Sequence, residues 1–171
     1  MKLVRHISTF AFFITRIIAV FYILTVLHLL VSVLFKLSTF KVLENNRFAI
    51  TYPFTSKNFL LGSENSSVYI FEMVSVLFFY GIFFWLLGNV FKTFRQQKLF
   101  TEQGIKYLKW FYVFNLLICP VLFLCLSVYS IEDYPYTIMM IAHGIVGIFA
   151  LFIAAIFQQG VKLQKDQDLY I

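Results

Sequence analysis

The sequence predicts an all-α integral membrane protein, an antiparallel four-helix bundle with a small extracytoplasmic loop or β-hairpin between helices 1 and 2. Three observations predict it. Of 171 residues, 61% are hydrophobic and only 13% are charged, more apolar surface than a water-soluble core of this size can hide. The apolar residues fall into four runs, about residues 10–35, 68–91, 105–129 and 137–157. Each run matches the roughly 20 helical residues needed to cross a hydrocarbon layer about 30 Å thick. Finally, lipid offers the backbone no hydrogen-bond partners, so each run is read as an α-helix. The spans use most of the chain, and residues 1–171 are therefore expected to form a single membrane domain.

The first span is too long for a cleavable signal, is interrupted by Arg16 and is followed by no small-x-small cleavage site, so it is read as a retained helix. Arg16 is expected to snorkel its guanidinium to cytoplasmic headgroups. The connection over residues 36–67 alternates Phe48, Ile50, Tyr52 and Phe54 on one side of an extended segment. After the polar turn Thr55-Ser56-Lys57-Asn58, Phe59-Leu60-Leu61 returns toward Gly62 as a second strand. Such a hairpin serves either as a lid on the helix ends or as a receptor surface for an extracytoplasmic ligand. Glu72 opens the second span near its outer end, where it is expected to be hydrated or paired with a loop lysine.

The loop over residues 92–104 carries the signature of a helix start. Thr101 is an N-cap residue, and Phe100 precedes it where a hydrophobic staple packs on Ile105. Glu102 lies in the first turn, where it complements the helix dipole. Lys106 and Lys109 lie beside Trp110 and Tyr112, as at a membrane interface. Within the third span, Pro120 is expected to kink the helix and free the Leu116 carbonyl, and Asn115 to bond across helices. Cys119 and Cys125, six residues apart, point to nearly opposite sides and are read as apolar fillers. Small residues, Gly81 and Gly88 on span 2 and Gly144, Gly147, Ala150 and Ala154 on span 4, mark close packing inside the bundle, with a homodimer as the alternative. The tail over residues 158–171 carries both charge signs and ends in Leu169-Tyr170-Ile171. It reads as a disordered or folded-back segment, or as a docking strand for a cytoplasmic partner.

Orientation follows from Lys and Arg near the span ends. With the N-terminus inside, nine cations (Lys2, Arg5, Lys92, Arg95, Lys98, Lys106, Lys109, Lys162 and Lys165) are cytoplasmic and four (Lys36, Lys41, Arg47 and Lys57) are outside. The loop between spans 3 and 4 has only Glu132 and Asp133. Both termini are thus expected in the cytoplasm of a multi-pass cell-membrane protein. The net charge of +6 reads as topology plus attraction to the lipid bilayer, not as direct nucleic-acid binding. His28 and His143 lie at matching depth, about 10 Å below the outer surface at 1.5 Å per residue. They could face one another as a haem- or metal-ligating pair, but hydrogen bonding inside the bundle is the expected role; no cofactor or metal is expected. The chain has no phosphate loop, nucleophile elbow, His-Glu-x-x-His or acid–base carboxylate pair, so no enzyme is expected.

Two segments carry a resemblance. Phe91-Lys92-Thr93-Phe94 followed by Lys98-Leu99-Phe100-Thr101-Glu102, and the ending from Ile156-Phe157 through Gly160 to Asp166-Gln167-Asp168-Leu169, resemble a bacterial four-helix membrane family, domain of unknown function 2975. Members of that family are often encoded beside a very small helix-turn-helix protein of the Cro/repressor type. The resemblance implies a non-enzymatic membrane sensor or anchor that binds or controls such a cytoplasmic DNA-binding regulator. On that analogy Phe100, Thr101, Gly160, Asp166, Asp168 and Leu169 form the docking surface. The alternatives are a membrane redox or cofactor-binding protein using His28 and His143, or a subunit of an oligomeric transporter.

Overall fold

In the computed structural model, which describes residues 2–130 and 134–168, four helices run alternately up and down. They are α1 (Lys2–Leu34), α2 (Ser67–Phe94), α3 (Glu102–Tyr129) and α4 (Tyr136–Asp168), and all four are long and apolar enough to cross a membrane. Their apolar side chains point outward as well as inward; Phe10, Ile17, Leu24, Phe71, Val121 and Phe149 are all exposed. A protein that leaves such residues on its surface is dissolved in lipid, where their exposure costs nothing.

Three strands connect α1 to α2 in the order β1 (Phe40–Val42), β2 (Phe48–Thr51) and β3 (Asn58–Gly62), all antiparallel. The β2–β3 hairpin is the one the alternating pattern foretold. The β1 strand is an addition, since Phe40-Lys41-Val42 is too short to announce itself by period. Phe48 and Ile50 are fully buried against Leu29 and Tyr69 at the ends of α1 and α2. The Phe48 ring lies across Gly62, where a Cβ would stand 2.0 Å from it, so no larger residue fits opposite Phe48. The expected alternation ends at Ile50. Tyr52 turns onto Phe59, with ring centroids 4.8 Å apart, and Phe54 is fully exposed on a left-handed backbone with φ 61°.

The glycines of α2 face α1. A Cβ at Gly81 would meet Ile23, and one at Gly88 would meet Thr15 and Arg16, so these positions set how closely the two helices approach. The seam on α4 is consumed by α3 in the same way, with Ala150, Ala154 and Phe157 buried against Leu108 and Phe111. A Cβ on Gly147 would stand 2.7 Å from the Leu116 side chain, whereas Gly144 faces open space.

Pro120 lies just after a π-helical turn over Phe114–Ile118. The wider turn absorbs the carbonyl that proline cannot pair, so the helix adjusts its winding there instead of breaking. One further expectation changes. The segment after Phe157 is neither folded back nor a strand but continues α4 to Asp168, making a helix of 33 residues. At 1.5 Å per residue that is about 50 Å, longer than the hydrocarbon layer, so the last turns extend past it. Glu132, Asp133, Leu169, Tyr170 and Ile171 lie outside the described residues.

Candidate functional site

The polar groups of the bundle gather at two levels, and the first is at the sheet end. Ser66 caps α2, its hydroxyl accepting from the Tyr69 amide at 3.2 Å. This fixes the first turn of α2 and puts Tyr69 and Glu72 three residues apart on one face. Glu72 is only 4% exposed. Its Oε1 accepts hydrogen bonds from the Tyr136 hydroxyl, on the first residue of α4, and from the Ser130 hydroxyl at 2.6 Å, just past α3. Its Oε2 has no hydrogen-bond partner among the described residues. The Tyr69 and Tyr134 hydroxyls meet at 3.5 Å, and the Tyr134 and Tyr136 rings lie 5.7 Å apart. Glu72 thus joins three helices, which corrects the expectation of a carboxylate either hydrated or paired with a loop lysine. The physical reason is closure from above, because the ends of α3 and α4 bring Ser130 and Tyr136 over a residue that the helix alone would leave near the surface.

Two pockets flank this carboxylate. One, of about 190 Å³, is lined by Tyr69, Met73, Val76, Tyr134, Tyr136 and Met139. The other, of about 460 Å³, is lined by Val68, Phe71, Leu122, Cys125, Leu126 and Tyr129. Glu72 lines both.

The second level lies two turns along α4. Asn115, fully buried in the π-turn, donates through Nδ2 to the Phe111 carbonyl at 2.7 Å and accepts through Oδ1 from His143 Nδ1 at 2.7 Å. Because the Phe111 carbonyl is an acceptor, the amide orientation follows, and with it the proton on Nδ1. The imidazole is enclosed by Phe79, Phe83 and Phe123, with ring centroids 5.0–6.0 Å away. His28 does something else. Its Nε2 donates to the Thr51 carbonyl at 2.9 Å and holds the sheet on α1, helped by Ser32 and Thr39 at 2.8 Å. The two histidines therefore have separate partners and do not form a pair, and among the described residues no three His, Cys, Asp or Glu side chains gather to hold a metal. Cys119 is buried and Cys125 exposed, as their spacing implies.

At the opposite end, where α1 begins and α4 ends, the motif residues have structural roles. The Phe100 ring fills the space over Gly160, where a Cβ would stand 2.5 Å from it, and meets Phe157 edge-on at 5.2 Å. Thr101 caps α3 by accepting from the Gly104 amide at 3.0 Å. Glu102 pairs with Lys165 on α4 at 2.7 Å, both largely exposed, a link worth little energy by itself. Of the six residues expected to dock a partner, Phe100 and Gly160 hold α3 to α4, Thr101 caps α3, Asp166 is exposed, Asp168 ends α4, and Leu169 lies outside the described residues. Arg16 does not snorkel. Its guanidinium bonds Asn89 Oδ1 and lies 3.7 Å from the Trp85 ring centroid, because α2 offers both an amide and an indole at that depth.

Sequence reasoning missed the Glu72 cluster. The signal was present as tyrosines 69, 134 and 136 and Ser130, all at the same end of the bundle as an acidic residue flanked by apolar neighbours. No curated protein and no solved structure matches the chain. The model of one family, described as "Protein of unknown function (DUF2975)", matches residues 44–171 and so takes in the β2–β3 hairpin, the Glu72 cluster, the Asn115–His143 pair and the Phe100–Gly160 contact. The chain belongs to that family.

Proposed function

We propose that the protein is a non-enzymatic membrane sensor or anchor, with both termini in the cytoplasm, that binds or controls a small helix-turn-helix regulator. One observation carries this reading. A single unbroken helix, α4, begins with Tyr136 on the buried Glu72 and ends with Asp166 and Asp168 beyond the bundle. A change in how Glu72 is satisfied moves Tyr136, and a helix transmits that displacement along its axis to the far end. The exposed Leu163, Lys162 and Asp166 on those last turns supply an apolar contact between charges, the chemistry of a helical docking surface. The bias of Lys and Arg toward the termini end supports the orientation.

The test is photocrosslinking in native membranes from a benzophenone side chain placed at Leu163. Recovery of a helix-turn-helix protein, lost on charge reversal by Asp166→Lys, is the expected result. A chain that inserts and folds but crosslinks only to lipid would refute the tether. Maleimide labelling of a cysteine placed at Lys2 checks the orientation, which is wrong if the residue reacts from outside intact cells.

A further inference from the structure

A buried carboxyl group is costly in a membrane unless something pairs with it, and such groups mark ligand and ion pathways. Glu72 has two donors on Oε1 and none among the described residues on Oε2, and no lysine or arginine is hydrogen-bonded or ion-paired to it. The 460 Å³ pocket beside it is a groove open toward the lipid-facing surface: Val68, Phe71, Cys125 and Tyr129 on its lining are exposed, and Leu122, Leu126 and two serines complete it. Its size falls within the roughly 300–1,000 Å³ range of small-molecule sites. An apolar groove with one unpaired carboxyl group in its wall selects a particular occupant. A neutral lipid tail would leave Oε2 unsatisfied, and an anion would be repelled. A hydrated metal ion would find one carboxylate and no further ligand cluster among the described residues. A hydrophobic body bearing one positive charge satisfies both the walls and the carboxylate, and the Phe71 and Tyr129 rings add faces on which an organic cation rests.

We infer that the groove beside Glu72 binds a lipophilic organic monocation, an alkylammonium or arylphosphonium, with its charge at the carboxylate and its body in the 460 Å³ groove. This deepens the sensor reading by giving its ligand class. Its test is binding to the isolated protein, so failure here leaves the crosslinking result standing, and failure to capture a regulator leaves this result standing.

The experiment uses the purified full chain in detergent and tritiated tetraphenylphosphonium. Saturable binding is expected, competed by dodecyltrimethylammonium but not by the neutral triphenylphosphine oxide. Bound cation should also protect Cys125, which lines the groove, from a membrane-permeant maleimide. Glu72→Gln keeps an Oε1 acceptor for Tyr136 and Ser130 while removing the charge, and should weaken binding at least about tenfold. Should that variant not fold, Leu122→Trp fills the groove with Glu72 intact and should abolish both binding and protection. The inference is overturned if folded wild type shows no saturable binding, if triphenylphosphine oxide competes as well as the cation, or if either folded variant binds like wild type.

Discussion

Asn115 and His143 offer the sharpest test of how this bundle is held together. The amide is fully buried and bonds two groups at 2.7 Å, the Phe111 carbonyl on its own helix and His143 Nδ1 on α4. Asn115→Ala removes both contacts and leaves the imidazole N–H without its acceptor, among the rings of Phe79, Tyr80, Phe83 and Phe123. Orphaning one buried donor costs about 1–3 kcal/mol, so the variant should lose about 2 kcal/mol. The fraction due to the inter-helix bond is smaller. Hydrogen bonds between membrane helices average about 0.6 kcal/mol and reach about 1.7 kcal/mol, because the unfolded reference state in lipid also finds partners. With both groups dry and well aligned, a double-mutant cycle of Asn115→Ala and His143→Leu should give a coupling of about 1 kcal/mol. The assay is unfolding in mixed micelles by sodium dodecyl sulfate, followed by the fluorescence of the chain's two tryptophans, Trp85 and Trp110. Independent sites are additive within about 0.3–0.5 kcal/mol. A coupling inside that margin, with both singles folded, would refute the bond as a tie between α3 and α4.

Three other perturbations test separate parts of the chain. Gly160→Ala drives a Cβ into the Phe100 ring and should destabilise by about 1–3 kcal/mol; Phe100→Ala in the same chain should recover part of that loss, and additive costs would contradict the contact. Gly62→Ala places a Cβ against the Phe48 ring and should unseat the sheet, measured as lost hydrogen-exchange protection at the Ala49 and Ile50 amides while α3 amides keep theirs. Arg16→Lys retains the charge but loses the guanidinium over the Trp85 ring and its hydrogen bond to Asn89, so about 1 kcal/mol of stability and the Trp85 emission maximum should both change; an unchanged spectrum would mean the guanidinium lies elsewhere.

The four spans were legible because length and apolarity are summed over twenty or more residues, and no tertiary contact can reverse that total. The β2–β3 hairpin was legible through the period of Phe48 and Ile50. What the sequence hid was the state of its polar residues. Glu72 near a helix end looks hydrated until Ser130 and Tyr136, some sixty residues away, close over it. Arg16 near a membrane boundary looks set to snorkel until α2 presents Asn89 and Trp85. His28 and His143 share a depth, but depth says nothing of azimuth, and the sheet claims one while Asn115 claims the other. The packing of the motif residues was hidden for a related reason. A phenylalanine before a helix cap and a glycine in a distant tail carry no mark of one another in the sequence, yet each fills or vacates the same space.

The inward face of α4 explains why these separate contacts act as one element. Tyr136, Met140, His143, Gly147, Ala150, Ala154, Phe157 and Val161 follow one another at alternating spacings of four and three, the heptad period that keeps a single stripe against a neighbouring helix. The stripe changes character along its length. At the sheet end it presents Tyr136 and His143, whose hydrogen bonds to Glu72 and Asn115 are directional and so fix the rotation of the helix. From Gly147 to Ala154 it presents small residues, which fix distance but tolerate rotation. Below them, Phe157 and the bare backbone of Gly160 enclose the Phe100 ring, which again admits one orientation. A helix gripped by oriented contacts at both ends and by smooth ones between is held in rotation only at those ends. On the sensor reading proposed above, releasing the Glu72 grip would leave the Phe100–Gly160 contact as the one that sets the rotation of α4.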